Sequence, residues 1–174
     1  LESKDGSYLN FNWNGYVVKE YDNDGNSYKI GYSGTALRYI KDGAGNVIWF
    51  EIDSNGYVTK IIDPLGREYV ISYTSGLPSV VTCPDGVSTL LRYSSYRLTK
   101  VRGRDKLWIK YDYPSDGDEY KKNRVIGVGE YSSLASSSCE EEYIGKSISI
   151  EYGKNKTIFT DDKGDKTSYI FDNY

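Results

Sequence analysis

The side chains of this chain that could do chemistry are its carboxylates, two cysteines and three tryptophans; histidine is absent. Without histidine, the usual base of serine and cysteine nucleophiles and the commonest zinc ligand are both missing. Cys83 and Cys139 are too few thiolates for a structural zinc site. No phosphate-binding loop or dinucleotide fingerprint is present. Asp22-Asn23-Asp24-Gly25-Asn26 resembles the opening of a calcium loop, with oxygen ligands at alternate positions, but Lys29 to Thr35 supplies no closing acid. Asp161-Asp162-Lys163-Gly164-Asp165 is alike, and both read more simply as turns in which Asp caps its own backbone. Glycoside hydrolysis needs two carboxylates about 5–10 Å apart, whereas Glu51, Glu68, Asp112 and Glu151 read as solvated charges on the wet side of strands. The expectation is a chain that is not an enzyme, with no catalytic residue, metal or cofactor. The remaining candidate is aromatic. Trp49, Trp108 and Tyr8 fall at positions that should face water. They would form either an exposed platform for sugar rings or a face covered by a neighbouring sheet or by more of a longer protein.

What must position them is a repeat. Gly25, Gly45, Gly66 and Gly86 recur at steps of 20, 21 and 20, each closing a turn-like tetrapeptide such as Asp63-Pro64-Leu65-Gly66. Seven residues later comes a large side chain: Tyr32, Ile52, Tyr73, Tyr93. The frame extends to Gly6 with Trp13, Lys106 with Tyr113, Gly145 with Tyr152, and Gly164 with Phe171. Of the 24 positions lying three, five and seven residues after these anchors, 22 are aliphatic or aromatic, against seven among the interleaved positions. That alternation is the pattern of an antiparallel strand with one dry and one wet face. Self-similarity at a fixed period marks an array whose units cover one another.

A second strand follows each first one after a polar turn, at Asn14-Gly15, Ser33-Gly34, Asn55-Gly56 and Ser75-Gly76. Asn-Gly predicts a two-residue hairpin turn with positive φ at both residues. In the second strands Leu37/Ile40, Val58/Ile61 and Leu98/Val101 are three apart, which strict alternation would put on opposite faces. A bulge near the end of the strand would reunite them.

These units resemble the YD repeat, also called the RHS repeat, of bacterial surface and toxin-delivery proteins and of animal teneurins. Asp63-Pro64-Leu65-Gly66-Arg67-Glu68-Tyr69 with Tyr73 carries the resemblance, as does Asp53-Ser54-Asn55-Gly56-Tyr57-Val58-Thr59-Lys60-Ile61. Tyrosine-aspartate pairs stand at Tyr21-Asp22 and Tyr111-Asp112, and the match is best over 22–113. The resemblance implies a curved β-sheet shell that wraps a cargo polypeptide. In some members it implies carbohydrate binding.

Nineteen tyrosines and 18 glycines favour an all-β chain. The formal net charge is −3 with no basic cluster, so no nucleic-acid partner is expected. No apolar run reaches membrane length, so no membrane insertion is expected. The chain begins Leu1-Glu2-Ser3-Lys4 and contains no Met, as a segment of a longer protein would. The frame breaks over about 114–142, where function would concentrate in an otherwise regular array. Cys83 replaces a turn aspartate, and it would bridge Cys139 only if the sheet brought their Cα atoms within about 7 Å.

The reading that follows is one array over residues 1–174: an all-β antiparallel meander of hairpins with a period of about 20 residues. About 22 large side chains left in water would cost more than the net stability of a domain. The sheet should therefore curl into a barrel-like or shell-like form, fold into two layers or pair with another copy. Gly25, Gly45, Gly66 and Gly86 should be structural turn residues. The expected role is a scaffold or shell segment of a secreted or cell-surface bacterial protein, partnered by the rest of its polypeptide or an encapsulated cargo. The alternative is a carbohydrate-binding or adhesion module.

Overall fold

The computed structural model describes residues 1–115, 123–131 and 143–172. It holds no helix among these residues; its elements are fifteen strands whose order in the sheet equals their order in the chain. Two compact units divide it, Leu1–Thr74 with Val80–Val87, and Ser75–Ser79 with Ser88–Tyr174.

The first unit contains β1 (Tyr8–Phe11), β2 (Val17–Tyr21), β3 (Ser27–Ser33), β4 (Ala36–Lys41), β5 (Val47–Ile52), β6 (Val58–Ile62) and β7 (Glu68–Thr74). Strand β8 (Leu77–Thr82) belongs to both. The second unit contains β9 (Ser88–Ser94), β10 (Arg97–Arg102), β11 (Trp108–Asp112), β12 (Gly127–Tyr131), β13 (Tyr143–Tyr152), β14 (Lys156–Asp161) and β15 (Lys166–Ile170). The ladders from β1 to β7 and from β9 to β15 are all antiparallel. This is the expected meander. Strand β12 lies inside the segment 114–142; its stretches 116–122 and 132–142, with Cys139, fall outside the described residues.

The anchor turns share one geometry. In 22–26, Gly25 N–H donates to the Asp22 carbonyl at 3.2 Å and Asp22 N–H to the Asn26 carbonyl at 3.0 Å. This is a type I turn closed by a left-handed residue in a bulge, the usual three-residue hairpin loop. Gly25, Gly45, Gly66 and Gly86 hold φ of +85°, +96°, +78° and +79°. Asn14-Gly15 and Asn55-Gly56 depart from the two-residue turn expected of Asn-Gly. Only their glycines have positive φ, and each forms the same three-residue loop, with Asp53 N–H donating to the Tyr57 carbonyl at 2.9 Å and Gly56 N–H to the Asp53 carbonyl at 3.1 Å. An acid or amide three residues before the glycine explains this: Asp53 Oδ1 accepts from Asn55 and Tyr57 N–H, which stabilises the longer loop. Positive φ at both central residues is found instead at Ser75-Gly76 and Ser95-Tyr96.

The bulges lie at the start of the second strands, not near their ends. Between Tyr32↔Leu37 and Gly31↔Tyr39 the ladder skips Arg38; between Ile52↔Val58 and Glu51↔Lys60 it skips Thr59; between Tyr93↔Leu98 and Arg92↔Lys100 it skips Thr99. One extra residue returns Ile40, Ile61 and Val101 to the face of Leu37, Val58 and Leu98.

Tyr32, Tyr73, Tyr93, Tyr111, Tyr113 and Tyr152 sit half-buried on that face, while Lys29, Glu51, Ser72 and Arg92 on the other are exposed. No hydrophobic side chain is fully buried among the described residues, so the expected core is absent. Within each unit, contacting strands are chain neighbours, so side chains are covered by their flanks and not by a second layer.

Candidate functional site

The recurring chemistry of the half-buried face is structural. Tyr32 Oη donates to the Val17 carbonyl at 3.0 Å, Tyr73 to Val58 at 2.9 Å, and Tyr113 to Leu98 at 2.9 Å. All three spans are 15 residues. The acceptor precedes the bulge residue and lies beyond the last ladder pair of its hairpin, for example Lys60↔Val70 in β6–β7. There the carbonyl lies past the β6–β7 ladder, and the phenol of β7 reaches it. The residue before each acceptor covers the phenol ring: Tyr16 stacks on Tyr32 at 5.2 Å, Tyr57 on Tyr73 at 4.7 Å, and Arg97 sits over Tyr113 at 5.4 Å. Tyr152 and the Val125 carbonyl repeat the bond at 2.9 Å, with Arg124 over the ring. Burial raises the Tyr73 pKa.

At the turns, aspartate organises the backbone. Asp22 and Asp42 each accept from the N–H and side-chain amide of Asn26 and Asn46 at 2.7 to 2.8 Å. Those side-chain amides are the leading cause that lowers both carboxyl pKa values. Asp63 is partly desolvated, which raises its pKa, but bonds from the Arg67 N–H and guanidinium outweigh this and hold it low. The calcium-like Asp22 loop is thus one of these self-capped turns. No cluster of three metal-ligating residues exists among the described residues.

The opposite face of the first unit carries the candidate binding residues. Trp49 on β5 is half exposed and meets Tyr39 on β4 at 5.2 Å between ring centroids and 55° between planes. The Tyr39 ring lies against Gly31 of β3, where any Cβ would overlap it. Beside the rings, Lys19, Lys29 and Lys41 stand directly opposite one another on β2, β3 and β4. Rings and lysines line a recess of about 540 Å³ that ends at the 42–46 turn. Tyr8 is not part of it. It stacks on Tyr21 at 4.1 Å on β1–β2, four strand steps or about 19 Å from β5. Trp108, in the second unit, has Arg92 and Arg102 guanidiniums over its ring at 5.8 and 5.4 Å. That unit also carries an apolar recess between β13 and β15 lined by Ile148, Phe159, Tyr169 and Phe171.

Sequence reasoning singled out Trp49 but missed Tyr39 and the lysine row. Both depend on cross-strand register, which the 42–46 turn and the Arg38 bulge together set.

Comparison with solved structures gives the fold. The chain is similar to part of a crystal structure of TcdB2-TccC3-Cdc42, at 13% identity and TM-score 0.59, covering 94% of this chain and 10% of that one. It is likewise similar to TcdB2-TccC3 at 12% identity and TM-score 0.54, and to a Photorhabdus luminescens Tc holotoxin pore at 13% and 0.51. The chain therefore spans about a tenth of the length of the chains it matches. No family model matches it, and no curated protein sequence does. Among the described residues no helix is long and apolar enough to cross a membrane.

Proposed function

We propose that this chain is a YD-repeat segment acting as a structural scaffold or shell wall in a secreted or cell-surface bacterial protein. The observation that carries the reading is the phenol-to-carbonyl bond repeated at a constant 15-residue offset in a sheet that has no fully buried hydrophobic side chain among the described residues. A wall needs stiffness from within each unit and leaves a broad face free for what it encloses. That face here is half-buried tyrosine, isoleucine and leucine. The likeness to Tc-toxin structures, each about ten times longer, supports a partner that is the remainder of a larger polypeptide or its cargo. This reading assigns no catalytic step to the chain, in keeping with its lack of histidine.

Maleimide labelling of single cysteines tests it, in a Cys83→Ser, Cys139→Ser background. Ile71→Cys reports the tyrosine face and Ser72→Cys the other. In the isolated segment both should react. In the full polypeptide, a wall predicts that one of the two is protected at least tenfold. Equal reactivity in both settings would remove the shell reading.

A further inference from the structure

We propose that the recess on β2–β5 of the first unit binds a nucleoside 5′-polyphosphate, with the phosphates on its lysine row and the base on its aromatic wall. The proposal stands independently of the scaffold role.

Three observations carry it. First, Lys19↔Lys29 and Lys29↔Lys41 are direct cross-strand pairs, so three lysines share one row at about 4.8 Å strand spacing. Like charges directly opposite are destabilising. Other lysines meet acids: Lys60 stands between Glu51 and Glu68 at 3.5 and 3.4 Å, and Lys110 in the second unit meets Asp112 at 3.4 Å. Among the described residues no carboxylate pairs with the lysine row; Lys19 caps the Tyr21 ring at 4.1 Å. Asp42, which lines the recess, is engaged by Asn46 in its own turn. A single carboxylate ligand would answer one of three cations. A polyphosphate chain carries several negative charges along a line, and lysine meets each phosphate as a point charge.

Second, the wall beside the cations is aromatic and uncapped. Trp49 and Tyr39 are opposite one another on β5 and β4 and form a corner rather than a flat stack. The bare Gly31 backbone lets the tyrosine ring lie on the sheet. Trp108 in the second unit is covered by two guanidiniums, whereas Trp49 is half exposed and carries no cation over its ring. An open indole beside cations is a stacking platform for a planar base. Tyr39 and Lys41 lie two residues apart on one face of β4, about 6.8 Å, a separation that a ribose spans between base and first phosphate. Third, the volume of about 540 Å³ falls in the range of small-ligand sites, about 300–1,000 Å³. A long nucleic-acid strand is disfavoured by the chain's formal charge of −3.

The experiment is calorimetric titration of the chain at low salt with ATP. Adenosine, inorganic tripolyphosphate, hexaglutamate, a galacturonate trimer and a thymidine hexanucleotide serve as comparison probes, with tryptophan fluorescence as a second readout. The expected result is ATP binding that weakens as salt is raised, is tighter than that of tripolyphosphate or adenosine, and quenches the fluorescence. Lys29→Gln should weaken it about tenfold or more, the loss of one charge-assisted bond. Trp49→Ala should weaken it about tenfold through lost stacking and remove the quenching. Lys110→Gln in the other unit should leave it unchanged. Lys29→Gln should meanwhile keep or raise the thermal midpoint, which separates lost binding from lost folding. Absence of ATP binding would overturn the proposal. So would tripolyphosphate or adenosine binding as tightly as ATP, or tighter binding of hexaglutamate, the galacturonate trimer or the hexanucleotide. Affinity unchanged in both Lys29→Gln and Trp49→Ala, or a lowered midpoint in Lys29→Gln, would overturn it as well.

Discussion

Tyr73 Oη on β7 donates a 2.9 Å hydrogen bond to the Val58 carbonyl on β6, the residue before the bulge at Thr59. Removing the hydroxyl should leave a half-buried carbonyl without its partner. We expect Tyr73→Phe to lose about 1 kcal/mol of stability, measured by urea denaturation. Ile52 occupies the equivalent position in β5, 15 residues after Leu37, so β4–β5 lacks the bond. Ile52→Tyr should install it and gain about 0.5–1 kcal/mol. A neutral Tyr73→Phe would mean that water replaces the phenol at no cost.

The left-handed turn position gives a pair of opposite effects. Gly45 holds φ of +96°, so Gly45→Ala should cost about 1 kcal/mol. In the 103–107 turn that position is occupied by Lys106, at φ +63°, with its N–H bonded to the Gly103 carbonyl at 3.2 Å. Lys106→Gly should relieve strain of about 1–2 kcal/mol against a smaller unfolded-state entropy loss, for a net gain of stability. Calorimetric midpoints moving in the same direction for both variants would contradict the shared turn geometry.

Asp22, Asp42 and Asp63 all have lowered pKa values from the bonds their turns supply. A carboxyl with a depressed folded-state pKa contributes stability above its unfolded value, about 3.9, and loses it as pH falls toward the folded value. The urea midpoint should therefore be flat from neutral pH to about 5 and drop below about 4. Asp42→Asn should flatten part of that drop. A midpoint that rises on acidification would refute the capping role of these aspartates.

Strand β15 ends the sheet order, with all five of its residues exposed, including Ile170 at 77%. Such an edge invites pairing with another strand. Ile170→Lys should lower self-association in sedimentation velocity, whereas Ser168→Lys should matter less because it adds charge without removing an apolar contact. Equal association of Ile170→Lys and the parent would place the contact elsewhere.

The turns and alternation were legible in residue order because each is a local property: Gly66 closes a turn with Asp63, and Tyr69, Ile71 and Tyr73 share a face by parity alone. The bulge was legible as a spacing, Val58 to Ile61, but its place was not, since a three-residue step fits an extra residue on either side. Asn55-Gly56 misled because the dipeptide says less than Asp53, whose carboxylate selects the longer loop. Full burial was expected of residues such as Tyr32 and Tyr73 because they are large and apolar-facing. That inference assumed that curling, a second layer or another copy would cover the face, and neighbouring strands supply only half the cover. The recess at Trp49 lay beyond reach because it is assembled from Gly31, Tyr39 and Lys29 on different strands, whose alignment depends on where the bulge falls.

At Tyr32, Tyr73 and Tyr113 the phenol and the carbonyl it clasps flank one anchor turn, so each bond ties the second strand of one repeat to the first strand of the next, and a hairpin built on an anchor turn carries its clasp within itself. A hairpin could be duplicated, deleted or transplanted as a finished tile, with every clasp elsewhere left intact. Chains of this design can therefore change length in steps of two strands at little cost to folding. A change of one strand would send every following turn to the opposite rim.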